Sequence, residues 1–235
     1  MSASRVLRGC WREATDARVA QVRDAARLSV AAFADATNQR GSLLQSWIRG
    51  REVVEFDHYP QDDVVDLTTG SQFYYHAHRH GDREHGHLHL FWHATASARR
   101  RHPTRGRVRW VRTAPTHLFA VSLDARGLPV ALFTVNRWVT EGHWFDAPTT
   151  MSCVERFAMG EVTGHEIACR WLTGFVRLYT PVIQQVLAQR DDRLARRADQ
   201  ARALEDHGLE VLSHAALEWG DDLDALEAEA ARRGL

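Results

Sequence analysis

Residues 71–95 read SQFYYHAHRHGDREHGHLHLFWHAT, and this stretch decides the fold. Its side chains alternate with a period of two on both sides of a short loop that contains glycine. One side of the first run carries Gln72, Tyr74, His76 and His78; the second run continues with His85, His87, His89, Phe91 and His93. Such alternation is typical of β-strands, in which successive side chains point to opposite faces. Two alternating runs joined by a short loop predict an antiparallel β-hairpin.

The register of this hairpin follows from its loop. A loop centred near residues 81–82 sets three pairs of residues opposite each other: Tyr74 with His89, His76 with His87, and His78 with His85. All six side chains then project from one face of the sheet, with facing Cβ atoms roughly 5 Å apart. Because the loop is too short for a crossover, we expect the two strands to be immediate neighbours.

The histidines of this hairpin are the strongest functional signal, with seven between His76 and His93. Two His-x-His pairs on adjacent strands can converge on one ion, since alternate residues of a strand share a face. Neutral imidazole suits Fe, Cu, Ni and Zn. Crowded, buried imidazoles take up charge only at a heavy desolvation and repulsion cost, which a metal ion relieves. We therefore predict a metal site here, ahead of metal-free acid/base chemistry or a structural role.

A mononuclear site needs only some of these side chains. The predicted metal ligands are His76, His78, His87, His89 and His117. Among them we expect a core of His76, His87 and His89, which His117 or His78 completes. The histidines at the ends of the run, His80 and His93, should matter least.

Three neighbouring side chains are predicted to take part in catalysis. Tyr74 can donate hydrogen bonds or electrons, Glu84 adds a carboxylate near the loop, and His85 fits an outer-shell or proton-shuttle role. The leading hypothesis is an Fe or Cu oxidase or oxygenase that acts on a small molecule. A zinc hydrolase with Glu84 as the base is an alternative, and a non-catalytic metal-binding or metal-sensing protein is another.

The flanking sequence predicts helices around a central sheet. Residues 12–37 are Ala-rich and amphipathic, residues 51–146 carry the strands, and residues 163–235 turn helical with a break at Pro181. HLFAVSLD and LPVALFTV flank a turn and form the clearest hairpin. We predict one α+β domain over residues 1–235, with a central antiparallel sheet that is open or barrel-like.

Composition excludes several classes of protein. The 30 basic residues, all Arg, balance 30 acidic residues, so no overall field attracts nucleic acid or membrane. Lysine chemistry is excluded because the chain has no Lys. No stretch has the length of a signal peptide core or a membrane span, and three cysteines are too few for a disulfide scaffold. We expect a cytoplasmic protein, whose oligomeric state the sequence leaves open.

Other candidate sites are weaker. His165-Glu166 begins like the zinc-protease motif, but Cys169 stands where the second histidine belongs. Asn136-Arg137-Trp138 ends a strand and is at least as compatible with a structural role. The Arg-rich run Arg99–Arg112 is predicted to be a solvated loop rather than a nucleic-acid site, since no nucleic-acid-binding motif accompanies it.

Several strings together resemble a known group of proteins. FYYHAHR, EHGHLHLFWH, HLFAVSLDARGLPVALFTVNRWVT and the late LEVLS are similar to an uncharacterised family of bacterial proteins. The resemblance spans most of residues 50–213. It implies that these motifs form one unit, and it implies no activity.

Overall fold

The computed structural model describes residues 2–78, 83–93, 114–160 and 162–235. Its centre is a six-stranded antiparallel sheet in which each strand pairs with the next along the chain. The strands are β1 (Tyr59–Val65), β2 (Ser71–His76), β3 (Gly86–Trp92), β4 (Thr116–Leu123), β5 (Pro129–Val135) and β6 (Val211–Ala216). The sheet is open, with β1 and β6 at its edges. The predicted α+β fold with a central antiparallel sheet is confirmed, and of the two forms considered the sheet takes the open one.

Helices flank the sheet. They are α1 (Ala3–Glu13), α2 (Asp16–Arg40), α3 (Arg137–Thr140), α4 (Ala147–Arg156), α5 (Glu166–Ala195), α6 (Gln200–Ala203) and α7 (Trp219–Arg232). The long helix α5 packs against α2, α4 and β6. One face of the sheet joins these helices in the main hydrophobic core, to which the sheet contributes Phe73, Tyr75, Leu88, Leu90, Phe119 and Val121. Burial of this apolar face is the main source of the fold's stability.

Two helix predictions are wrong in their boundaries. The predicted helix over residues 12–37 is two helices, because Thr15 adopts an extended conformation and its hydroxyl accepts a hydrogen bond from the Arg18 amide as the N-cap of α2. The predicted break at Pro181 is absent, since α5 continues through this residue. Val176, Val182 and Ile183 are fully buried on both sides of Pro181. Packing of both halves therefore overrides the local cost of proline.

The register of the histidine hairpin matches the prediction in two of its three pairs. Tyr74 lies opposite His89 and His76 opposite His87 in the β2–β3 ladder. The third pair does not form, because β2 ends at His76 and β3 begins at Gly86. Gly86 is required at this point. A Cβ there would lie 2.6 Å from Cζ of Tyr75 and 2.7 Å from the carbonyl oxygen of His76.

Two expectations fall on residues outside the described ranges. They concern His80 and the run Arg99–Arg112, and both remain predictions. Within the part of the chain that the structure describes, no helix combines the length and the apolar character needed to cross a membrane.

Candidate metal centre

The two faces of the β2–β3 hairpin have different surroundings. Phe73, Tyr75 and Leu88 point into the helix-covered core. The opposite face carries Tyr74, His76, His87, His89 and Phe91, which we call the histidine face. This face is also buried, since His76 is 8% exposed, His87 0% and His89 1%. Imidazoles buried to this extent need partners for their ring nitrogens.

Three of these imidazoles converge through one nitrogen each, and we call His76, His87 and His89 the histidine triad. Nε2 of His76 lies 2.7 Å from Nε2 of His87 and 3.1 Å from Nε2 of His89. One nitrogen from each ring lies within 4.8 Å of those of the other two. The ring planes are steeply inclined to one another, at 87°, 70° and 78° for the three pairs. Three lone pairs can therefore point at one position from three directions.

Glu84 fixes the protonation of one triad member. Its Oε1 lies 2.6 Å from Nδ1 of His87, on the opposite side of the ring from the converging Nε2. A carboxylate in this position accepts a hydrogen bond from an Nδ1–H group, so the lone pair of Nε2 faces the other triad members. Metal-binding histidines commonly donate their second nitrogen to such a carboxylate, which sets the tautomer and the ring orientation.

His117 has the corresponding position behind His89. Its Nε2 lies 2.9 Å from Nδ1 of His89. Burial, and to a smaller extent the Arg190 guanidinium and His87, together lower the pKa of His117 to about 3. A neutral His117 can accept a hydrogen bond from His89. In the structure this predicted fourth ligand contacts the outer nitrogen of His89, and it is not one of the converging set.

His78, the other predicted completing ligand, borders the triad. Its ring centroid lies 4.8 Å from that of His76 and 5.1 Å from that of His87. On its other side the ring stacks on Phe56 at 4.9 Å and 17°. His78 therefore lies beside the converging nitrogens without joining them.

The predicted position of His85 is wrong. Instead of facing the triad, its Nδ1 lies 2.5 Å from the hydroxyl of Tyr75, which belongs to the helix-covered face. His85 lies in a bend before β3, where the strand alternation does not yet hold. Glu84 takes the place beside His87 that this alternation would have given to His85.

A second carboxylate–imidazole pair lies at the edge of the histidine face, and the sequence analysis missed it. Nδ1 of His58 lies 2.9 Å from Oδ1 of Asp63, whose other oxygen accepts a hydrogen bond from the Gln72 amide at 2.7 Å. Asp63 has φ 54° at a bulge in β1, which turns its carboxylate toward these partners. A bulge at one residue with positive φ interrupts the alternation of side chains along the strand. The alternation in the sequence therefore could not predict the His58–Asp63 pair.

Aromatic rings enclose the triad. Tyr74 stacks on His58 at 3.6 Å and also contacts His89 and Phe91. Burial raises the pKa of the Tyr74 hydroxyl, so this side chain stays protonated at neutral pH. On the far side, Phe133 meets His87 edge to face at 5.2 Å. Among the described residues, Tyr74 and Phe133 are uncharged neighbours of the triad, and the Glu84 carboxylate is bonded to His87.

The other candidate residues make contacts that fit structural roles. The buried Asn136 amide donates hydrogen bonds to the carbonyl oxygens of Ala203 and Leu209 and holds the loop before β6. Cys153 and Cys169 are buried and reduced. His143, a histidine that follows β5 and α3 in the chain, is exposed and lies outside the triad. Across the described ranges, the histidine triad is the one group whose His, Cys, Asp or Glu ligand atoms converge closely enough for an ion.

Comparison with known proteins agrees with the predicted resemblance. The model of the domain of unknown function DUF6969 matches residues 23–217, which include all six strands and the triad, and the chain belongs to this family. Searches among curated proteins and among solved structures returned no match.

Proposed function

We propose that this DUF6969 protein is a mononuclear metalloenzyme, in which the histidine triad binds one Fe or Cu ion that promotes oxidation or oxygenation of a small molecule. The observation that carries the proposal is the convergence of three buried Nε2 atoms on one position. Three protein ligands leave further positions of the ion open, as catalytic sites require. Imidazole ligands suit Fe and Cu as well as Zn.

The spacing of the nitrogens favours right angles at the ion. Two metal–nitrogen bonds of about 2.1 Å separate their nitrogens by about 3.0 Å at a right angle and by about 3.4 Å at a tetrahedral angle. The Nε2 atom of His76 lies 2.7 Å from that of His87 and 3.1 Å from that of His89, and both distances are nearer to the right-angle separation. Right angles at all three nitrogens would leave adjacent positions of the ion open, which is the geometry that non-haem iron oxygenases use for substrate and oxygen.

Tyr74 supports an oxidative role. Its ring contacts the triad member His89 directly, and its hydroxyl stays protonated. The side chain can therefore supply a hydrogen atom or a hydrogen bond next to the centre. The free cysteines also fit a reducing compartment such as the cytoplasm, where ferrous iron is available.

A zinc hydrolase is the second candidate, because the Glu84–His87 pair has the form of the carboxylate–histidine–zinc arrangement. The base assigned to that reaction is less well supported. Glu84 is bonded to Nδ1 of His87, on the side of the ring away from the converging nitrogens, which suits orientation of His87 better than activation of water. A metal-binding or sensing protein remains the third, non-catalytic alternative.

Metal analysis of protein produced without an affinity tag tests the proposal. We expect one Fe or Cu per chain, paramagnetic in one oxidation state, together with consumption of oxygen when candidate small molecules are supplied. One tightly held Zn and no response to oxygen would favour the hydrolase. Several weakly held ions per chain without turnover would favour the sensor.

A further inference from the structure

His78 has an unusual relation to the triad. Its centroid distances to His76 and His87, 4.8 and 5.1 Å, are close to those within the triad, which range from 4.5 to 5.0 Å. By position it is close enough to serve as a ligand. It nevertheless contributes no atom to the converging set. The absence of His78 from the converging nitrogens is therefore not explained by distance.

The Phe56 ring lies on the outer side of His78. The two rings are stacked at 4.9 Å with planes 17° apart, so Phe56 favours one orientation of the imidazole plane. Phe56 itself is 65% exposed, which is unusual for a large apolar ring and indicates that burial does not explain its position. Stacking on His78 is the contact that gives this side chain a role.

The backbone holds Phe56 in place at a cost. Its φ of 66° lies in the left-handed region, where a bulky residue is strained. The Phe56 amide donates a hydrogen bond to the carbonyl oxygen of Ala77, the residue between His76 and His78. This bond ties the Phe56 segment to the chain that carries both imidazoles. Strain maintained at one residue beside a candidate site is a signature of a functional constraint.

His78 is less constrained than the triad members. It follows the last residue of β2, so no ladder pair fixes its backbone, whereas His76, His87 and His89 all lie within paired strands. It is also only partly buried. A movement of its backbone therefore breaks no pairing of the β2–β3 ladder, unlike movement of any triad member.

We propose that His78 is a labile fourth ligand of the ion held by the histidine triad, and that the stacked Phe56 ring holds it out of the coordination sphere. This inference rests on the proposed metal site. With His78 held by Phe56, one more position of the ion is open to a small anion or substrate. With His78 released, a fourth imidazole occupies that position and competes with external ligands.

Copper and azide test the inference without knowledge of the substrate. Protein loaded with one Cu(II) is titrated with azide, and pulsed electron paramagnetic resonance counts the bound imidazoles. We expect three in the wild type and four in Phe56→Ala. Azide affinity should fall at least about tenfold in Phe56→Ala, because azide must displace a tethered imidazole whose effective concentration is in the millimolar range. In Phe56→Ala/His78→Ala, both measurements should return to the wild-type values.

The controls separate the possible outcomes. Val54→Ala removes another exposed apolar side chain of the same segment, 54% exposed against 65% for Phe56, and should change neither measurement. Phe56→Leu keeps apolar bulk without the aromatic face and replaces Phe56→Ala if that variant unfolds. Four imidazoles in the wild type, or an unchanged count and azide affinity after loss of the Phe56 ring, would overturn the inference alone. Copper binding that survives alanine at all three triad positions would overturn the proposed metal site and this inference together.

Discussion

Replacement of Glu84 tests whether the carboxylate behind His87 orients a metal ligand. The Glu84 side chain is 17% exposed and that of His87 is 0%, and 2.6 Å separates their bonded atoms. Removal of an outer carboxylate of this kind lowers metal affinity about 10–100-fold, which corresponds to about 1.4–2.7 kcal/mol. Glu84→Gln keeps a neutral acceptor for the Nδ1–H group and should fall near the lower limit. Glu84→Ala removes the acceptor and should fall near the upper one.

Competition with a chromophoric chelator for Co(II) or Zn(II) measures these affinities directly. Asp63→Asn is the matched control, because Asp63 also bonds an imidazole, that of His58, which is outside the triad. The metal affinity of Asp63→Asn should stay within about threefold of wild type, which is the effect of ordinary surface substitutions. If both Glu84 variants keep wild-type affinity while His87→Ala abolishes binding, the orienting role assigned to Glu84 is wrong.

Three further changes test other parts of the structure. Alanine at each position of the histidine triad should lower metal occupancy at least as much as the roughly 10–100-fold of an outer-sphere loss, whereas His93→Ala, and likewise alanine at His80, should leave elemental analysis near wild type. Gly86→Ala should destabilise the fold by about 1–3 kcal/mol in urea titrations, because its Cβ collides with the Tyr75 ring; an unchanged midpoint would refute the close approach. Burial raises the pKa of Asp222, so the folded state binds the proton of this carboxyl more tightly than the unfolded state does. The wild type should therefore lose stability relative to Asp222→Asn as pH rises from 3.8 through the raised pKa. Parallel plots of unfolding free energy against pH for the two proteins would contradict this.

The sequence was sufficient to predict the hairpin and the three histidines that converge on it, because period-two alternation fixes both the face and the partner of each residue. Tyr74 with His89 and His76 with His87 followed from a loop position alone. The prediction lost accuracy where the ladder ends. His85 has the parity of His87, but it precedes the first paired residue, so its side chain contacts Tyr75 instead.

Other features depended on tertiary contacts that no local pattern encodes. The continuation of α5 through Pro181 depends on packing along its whole length. The His58–Asp63 pair depends on a bulge with a left-handed Asp, and sequence alternation cannot reveal a residue that interrupts it. The outer partners of the triad, Glu84 and His117, were identified as site residues, but the atoms that they contact required the fold.

The location of the triad within one hairpin bears on when the proposed ion would be acquired. All three converging nitrogens come from residues 76–89, a short span of the chain, and His117 and Phe133 from later strands contact them from outside. Contacts this local form early, since little chain entropy is lost in making them. Strand β6 and helix α7 are synthesised more than a hundred residues later. In the finished fold the three histidines are almost completely shielded from solvent, so, on the proposed metal site, an ion would enter more readily during biosynthesis than in the mature protein.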